Sequence, residues 1–519
     1  MAEVKTRNHT GSEAFTVEIE RRDFSGPVTL GLRVKPVRLS WSAFGGPAQA
    51  TCRAVGPAGR LLDLTGLLRC GVTVRDGQGE PVWWGFIEAV EVNLAAVSVR
   101  VALADLANRV RVQYQTLSAG RLVGVRATTK AAEDLRSQAE YGVKEHLLTR
   151  QNIDRAFAES LRDTWLAQHA WPITRLSQRT KPGAPQARLI CKGWFETLGW
   201  RTYGNAEGFY ANDEQGPGTF AFGNSAGSRY VGQSFAPGED VDLKTVHFRL
   251  RNVGGAARAI TARVHTDAGG VPGAVVATSG PLDPVGLPDT AYGWAQFSFD
   301  DPVALSGGHR YWVSLDPNGV NSGAYFMLRI DENMGFAGGE GRYYNQSTGT
   351  WNPLPPADRP DTLFRFVGIA DTGVQIGAVA ARGGQFFPRI STLTTGLETS
   401  PYRAADRDCL AEAKALMALG TQHRRLVLAS VSSRRDLRFF TQPDPAEADV
   451  YLDRQSRFYT HRGVVMRPWP PPVGRYARLA ATNEISLPWD RRRVPACFIA
   501  GAAYEVPTGR LRIRTMGEG

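Results

Sequence analysis

At 519 residues the chain is longer than one hydrophobic core can serve, and about three to four domains are expected. Its 42% hydrophobic and 21% charged residues lie near the globular average, while 56 Gly and 31 Pro imply many turns and short strands. The net charge of +11 is dispersed, with no basic run interleaved with aromatics, so nucleic acid is not an expected partner.

No stretch approaches eighteen uninterrupted apolar residues, so no membrane insertion is expected. The first thirty residues, through Lys5, Arg7, Glu18 and Glu20, lack the apolar middle of a signal peptide, which points to a soluble product made in the cytoplasm. The five cysteines, Cys52, Cys70, Cys191, Cys409 and Cys497, are scattered and odd in number, and read as reduced, mostly buried thiols without a zinc spacing.

From Phe15 to about Gln115 the pattern is period two, which predicts a small β-barrel or sandwich. Pro81-Val82-Trp83-Trp84-Gly85-Phe86-Ile87 reads as a strand in which Gly85 permits close backbone approach or a bulge. Val90, Val92 and Leu94, then Val97, Val99 and Val101, read as the two arms of a hairpin. Between Asn152 and about Gln168, Phe157, Leu161 and Trp165 fall on one helical stripe that Asn152 or Asp154 could cap and Pro172 stops. An apolar strand at Leu189–Cys191 then runs into the aromatic turn from Trp194 to Trp200.

From about Gly204 to Phe366 the composition turns to Gly, Asn and Ser with clean alternation: Val246, Phe248 and Leu250 oppose Thr245, His247 and Arg249, and Ile260, Ala262 and Val264 behave alike. With turn clusters such as Gly269-Gly270-Val271-Pro272-Gly273, this predicts a two-sheet sandwich of jelly-roll type. Residues 205–370 hold 11 Lys and Arg against 17 Asp and Glu, a net of −6 that leaves +17 for the remainder. After Asp371 the pattern is mixed. A helix capped by Asp406 or Asp408 carries Leu410, Ala413, Leu416 and Met417 and ends at Gly420, and short strands follow at 426–428, 437–440 and 449–452. The Arg491–Arg493 stretch is expected at the surface.

A middle segment of different composition and opposite charge, flanked by segments of like character, is what a domain inserted into a host loop leaves behind. The expected fold class is therefore mainly β with some α (α+β) and multi-domain. It comprises a hub-like β-barrel or sandwich over 1–120, a helical and mixed host segment over 121–204, an inserted jelly-roll sandwich over 205–370, and an α+β host segment over 371–519 that completes the hub.

The W-W-G-F-I-E-A-V-E-V run within Pro81–Val92, C-K-G-W-F-E-T-L-G-W-R-T-Y at Cys191–Tyr203 and G-G-Q-F-F at Gly383–Phe387 together resemble tail hub and baseplate proteins of long-tailed phages. That resemblance implies a structural virion protein at the phage tail tip, made as a ring-shaped homo-oligomer, commonly three-fold. Its implied neighbours are the tail tube, distal tail and tip proteins. G-Q-S-F-A-P-G at Gly232–Gly238, H-T-D-A-G-G-V-P-G at His265–Gly273, H-R-Y-W-V at His309–Val313 and R-Y-Y-N-Q-S-T-G-T-W at Arg342–Trp351 resemble choice-of-anchor jelly-roll modules. The role this implies is attachment or contact with host cell-surface glycan.

For such contact, Trp312 alternates with Tyr311, Val313 and Leu315, and Trp294 with Ala295, Phe297 and Phe299. Both tryptophans are expected on the outer surface, where rings stack on sugars for about 1 kcal/mol each. Tyr343, Tyr344 and Trp351 are further candidates; the competing reading is that these rings pack on neighbouring strands or on the host. The eight histidines sit at no metal or nucleophile spacing, and G-x-S-x-G, P-loop and H-E-x-x-H motifs are absent, so no cofactor, metal or catalytic residue is expected. The pairs Asp300-Asp301, Asp331-Glu332 and Asp213-Glu214 read as solvated turn carboxylates and leave a glycan hydrolase as the lesser alternative to a carbohydrate-binding adhesin.

Overall fold

The computed structural model describes residues 3–7, 15–115, 126–203, 209–212, 218–238, 240–331, 336, 339–355, 360–400, 407–445, 450–452, 458–460, 466, 469–479 and 496–516. Asp213, Glu214, Glu332, Asp406, Asp449 and Arg491–Arg493, singled out above, lie outside these residues. The fold is mainly β with some α, built from several sheets.

Among the described residues, the largest sheet has twelve strands drawn from both ends of the chain. Val34–Ser42 pairs on one side with Gly46–Val55 and on the other with Cys497–Glu505, so Arg38 faces Glu505 and Ser42 faces Gly501. Glu3–Arg7 pairs with Arg510–Met516. Of the two forms expected for the N-terminal region, barrel or sandwich, no closed barrel forms among the described residues: this sheet is open. Most N-terminal strands pair with one another, and Val34–Ser42 and Glu3–Arg7 at their margin find partners in the C-terminal segment.

The expected hairpin over Val90–Val101 is also not formed. Both valine runs belong to one 22-residue strand, Pro81–Ala102, paired from Phe86 to Ala102 with Ile173–Lys192. The switch from even to odd apolar positions comes from a bulge: Ala95 sits at φ 54° opposite Gly183, where the register slips. Gly85 does serve close approach, since a Cβ there would lie 2.1 Å from the Lys192 carbonyl oxygen of the paired strand.

One continuous core joins the two host segments. Trp41 stacks on Trp469 (5.7 Å), which meets Tyr504 edge-on at 4.4 Å. Trp194 and Trp200 of the 3-10 turn Trp194–Trp200 close on Phe386 at 5.7 and 5.5 Å, bringing together two of the motifs that carry the hub resemblance. Burying each such ring contributes roughly 2–3 kcal/mol. Cys52, Cys70, Cys191 and Cys409 are buried free thiols; Cys497 is only half-buried.

A small α/β lobe projects from this core. Its four-stranded sheet holds Arg109–Gln115 parallel to Glu145–Gln151. The helix Arg155–His169 is capped by Asp154, whose carboxylate accepts from Phe157 N at 2.7 Å. The buried stripe is rotated from the expected one. Ala158, Leu161, Trp165 and Leu166 pack on the sheet, and Phe157 is 58% exposed, because the lobe's few strands cover only a narrow face of the helix.

The segment from Phe209 to Asp371, joined at its last strand by the two-residue strand Glu398–Thr399, forms two packed sheets with a separate core that runs from Phe222 to Phe366. The eight-stranded sheet centres on Val241–Val253, with Gly293–Leu305 on one side and Tyr325–Asp331 and Phe364–Asp371 on the other. The six-stranded sheet runs Pro272–Thr278, Thr261–Asp267, Tyr311–Asp316, Tyr230–Phe235, Gly341–Asn345 and Thr350–Pro353. Val246, Phe248, Leu250, Ala262 and Val264 point inward as their alternation requires.

The chain leaves and rejoins the host at neighbouring points. Tyr203 N donates to Arg407 O (3.1 Å), Asp371 caps the helix Thr372–Gly383, and Tyr203 and Asp371 line one cleft of about 480 Å³. Asp408, by accepting from Ala411 N, caps the helix Cys409–Leu419, which ends at Gly420 with φ 77°. No helix among the described residues is long and apolar enough to cross a membrane.

Candidate functional site

The six-stranded sheet presents an outward face that strand alternation fixes residue by residue. Val231, Val313 and Leu315 go into the core, so Tyr230, Gly232, Ser234, Trp312, Ser314 and Asp316 face out. Register then aligns rings across three strands: Tyr230 opposes Tyr344, and Tyr344 opposes Trp351.

Tyr230 and Tyr344 stack at 5.4 Å with 24° between planes, and Tyr344 meets Trp351 at 5.3 Å. The three half-buried rings form a short platform. Trp351 reaches across Tyr344's strand to lie over Gly232, where an added Cβ would be in ordinary contact with its Cζ3 at 3.6 Å. The Arg229 guanidinium sits 4.8 Å from the Tyr230 ring centre, and Arg263 pairs with the buried Asp316 at 2.7 Å. Burial, then the Asp316 charge, push the Tyr230 phenol up and keep it a neutral hydrogen-bonding group. Rings flanked by fixed guanidinium and carboxylate groups are suited to the apolar face and hydroxyl rim of a sugar.

The other half of this face is closed. Trp312 points outward from its strand as expected, yet it is fully buried, its Nε1–H donating to Asp267 Oδ1 at 2.7 Å and the Arg342 guanidinium 6.0 Å from its ring centre. Its cross-strand neighbour His265 has both ring nitrogens engaged, Nδ1 with Gly273 O at 3.1 Å and Nε2 with Ser314 Oγ at 2.8 Å. A carbonyl can only accept, so Nδ1 carries the proton and Nε2 accepts; burial pushes this imidazole's pKa down. Trp312 is therefore a structural residue and not a ring available to ligand.

The remaining predicted residues separate. Tyr343 turns inward, against Phe220 (5.2 Å) and the sandwich core, because it is one position out of phase with Tyr344. Trp294 lies on the outer face of the opposite sheet, with the Arg365 guanidinium 4.2 Å from its ring centre. Of the predicted residues only Tyr344 and Trp351 come together, and the sequence reading missed Tyr230: alternation with Val231 puts it on the outer face, and strand register sets it beside Tyr344.

Among the described residues no cluster of three or more His, Cys, Asp or Glu is positioned for a metal ion. Of the paired carboxylates, Asp300 and Asp301 are exposed, and Asp331 is buried opposite Asp361.

No family model matches the sequence, and no curated protein matches it. Among solved structures, it is similar to a glycoside hydrolase family 43 arabinoxylan arabinofuranohydrolase from Bacillus subtilis in complex with cellotetraose: 9% identity over 54% of this chain and 63% of that chain, TM-score 0.15. It is also similar to infectious bursal disease virus Gx strain, with 10% identity over 70% and 77% of the two chains and a TM-score of 0.15. The mosquito-larvicidal Cry4Aa toxin from Bacillus thuringiensis gives 6% identity over 63% and 54%, TM-score 0.16. The chain spans less than two thirds of the hydrolase and toxin lengths, and superpositions this loose bear on neither fold nor function.

Proposed function

We propose that this chain is a structural component of a phage tail tip, a hub or baseplate protein that forms a homo-oligomeric ring between tail tube and tip. Its inserted sandwich faces outward for contact with host-surface glycan. The observation that carries this reading is the shared host core: strands before Tyr203 and after Asp371 complete one twelve-stranded sheet, while the intervening residues keep a hydrophobic core of their own. A ring-forming body with a peripheral module separates assembly from recognition. Repetition around the ring lets a weak ligand site gain about a hundredfold or more in avidity without new contacts.

The test is the mass of the full chain in solution across rising concentration, together with a search for the protein in purified tails. A closed oligomer found in tails supports the reading; a strict monomer absent from tails overturns it.

A carbohydrate-binding adhesin is the second reading, favoured by the Tyr230–Tyr344–Trp351 platform. Glycan-array capture by the full chain that is lost in Trp351→Ala, from a protein that does not assemble, would select it over the hub.

A further inference from the structure

The outer face of the twelve-stranded host sheet carries a row of cations. Cys52, Ala54, Ala187 and Leu189 are buried, so alternation turns Arg53 and Arg188 outward from their strands. Register sets Arg188 directly opposite Arg53 and Arg53 opposite Lys35, while Arg38 lies two positions along, opposite Thr51. All four cations are exposed, and Arg38, Arg53 and Arg188 line one open groove of about 360 Å³. Among the described residues none of the four side chains has a hydrogen-bond or ion-pair partner. The acids beside the row are already held: Glu91, opposite Arg188, pairs with Arg100 at 3.4 Å, and Glu505, opposite Arg38, pairs with Arg512 at 3.6 Å. Like charges directly opposite on neighbouring strands repel, so an added anion stabilises the row.

The sandwich carries free anions. Asp300 and Asp301 are exposed on Gly293–Leu305, which pairs with Val241–Val253 alone among the described strands and so borders the eight-stranded sheet. Register slips there: Thr245 opposes Ser298 and Leu243 opposes Val303, so residues 299–302 fall in a bulge that carries both carboxylates off the regular ladder. Neither carboxylate has a partner among the described residues, and Lys244 Nζ donates to the Asp300 carbonyl at 2.7 Å instead. At +11 overall, two copies of the chain repel, so a stable contact between them needs local complementarity. The division of charge, −6 over 205–370 and +17 elsewhere, supplies it between unlike parts.

We propose that the acidic bulge of one copy's sandwich docks on the arginine groove of a neighbouring copy's host sheet. The contact is head to tail, the kind that closes into a ring when the rotation fits. It rests on the ring reading above and names the surfaces that form the ring. A carboxylate meets a guanidinium fork in two parallel hydrogen bonds, so Asp300 and Asp301 suit Arg53 and Arg188. The platform of Tyr230, Tyr344 and Trp351 lies on the other sheet of the sandwich and stays free for ligand. Nucleic acid fits the groove less well: none of its lining residues is aromatic to stack a base, and Glu91 stands beside Arg188.

The experiment follows the mass of the full chain by sedimentation across concentration and salt. Wild type should associate, and association should weaken between about 0.1 and 1 M salt, where the screening length falls from about 10 to about 3 Å. Arg53→Glu/Arg188→Glu and, separately, Asp300→Lys/Asp301→Lys should each weaken it about tenfold or more. A chain bearing all four changes reverses both surfaces and should associate again, which a merely structural defect would not allow. Should a reversed chain fail to fold, Arg53→Gln/Arg188→Gln must weaken association by roughly threefold. Association that no charge change weakens, or that a folded fourfold variant does not recover, would overturn the proposal and leave the ring reading standing. A strict monomer at every concentration would remove both. An oligothymidylate captured through Arg53 and Arg188, with self-association unchanged by their reversal, would give the groove to nucleic acid and overturn the proposal as well.

Discussion

Glu145 and Arg382 are separated by 237 positions in the chain and by 3.0 Å in space, Oε1 to Nη2. Arg201 and Arg109 approach the same carboxylate oxygen at 3.2 and 3.4 Å, and Thr202 donates to Oε2 through its backbone N (2.8 Å) and hydroxyl (2.6 Å). Glu145 thus ties the small α/β lobe, the residues that follow the 3-10 turn Trp194–Trp200 and the helix after the sandwich to one buried anion.

Burial alone would raise the Glu145 carboxyl, but the Thr202 hydrogen bonds and the charges of Arg382 and Arg201 outweigh it and hold it below its ordinary value. A lowered folded value means that stability is present above the usual 4.5 and is lost as pH falls through the folded value. Glu145→Gln, which removes the anion that Arg382, Arg201 and Arg109 share, should cost on the order of 3 kcal/mol in urea denaturation at neutral pH. The gap from wild type should shrink in acid.

Trp312 and Trp351 should behave oppositely. Trp312→Ala empties a fully buried indole site and leaves Asp267 without its donor, at a cost of about 3–5 kcal/mol. Trp351→Ala, on the half-buried platform, should change stability by roughly 0.5 kcal/mol and act instead on glycan capture. Thermal melts of both variants beside array binding separate the two roles.

Asp361 is buried, accepting from Gln233 Nε2 at 2.8 Å and from Phe336 N at 3.1 Å, and burial raises its pKa to about 6. A raised value in the folded state means that its contribution is full below the ordinary 3.8 and is lost as pH rises to about 6. Asp361→Asn cannot ionise, so its stability relative to wild type should climb between about pH 4 and 6 and then level off. Denaturation curves over that range check the sign, and a flat difference would refute the assignment.

Gly85→Ala should destabilise the host by roughly 2 kcal/mol, because the backbone carbonyl it meets cannot turn aside. With two separate cores, the loss should appear in the host transition of a melting curve and leave the sandwich transition in place.

Much of the sandwich was legible in the sequence because a half-buried strand writes its inward face at every second position, as at Val246, Phe248 and Leu250. The Asp154 and Asp408 caps were equally local. The hairpin error at Val90–Val101 shows the limit: a parity shift reads alike for a turn and for a bulge, and only pairing with Ile173–Lys192 distinguishes them.

The candidate rings divide along the same line. Alternation determined that Trp312 turns away from Val313, but whether it meets water depended on Asp267 and Arg342, brought in from other strands. Likewise, Tyr344 and Trp351 are named by sequence, while their union with Tyr230 over Gly232 follows from cross-strand register. By itself the sequence determined which residues face which side of each strand, the separate character of residues 205–370 and the local caps, since these depend on backbone geometry and near neighbours. Tertiary structure alone decided what covers each face, which distant strands share a sheet and where charges such as Glu145 and Arg382 meet, since those contacts arise only when segments hundreds of residues apart are packed together.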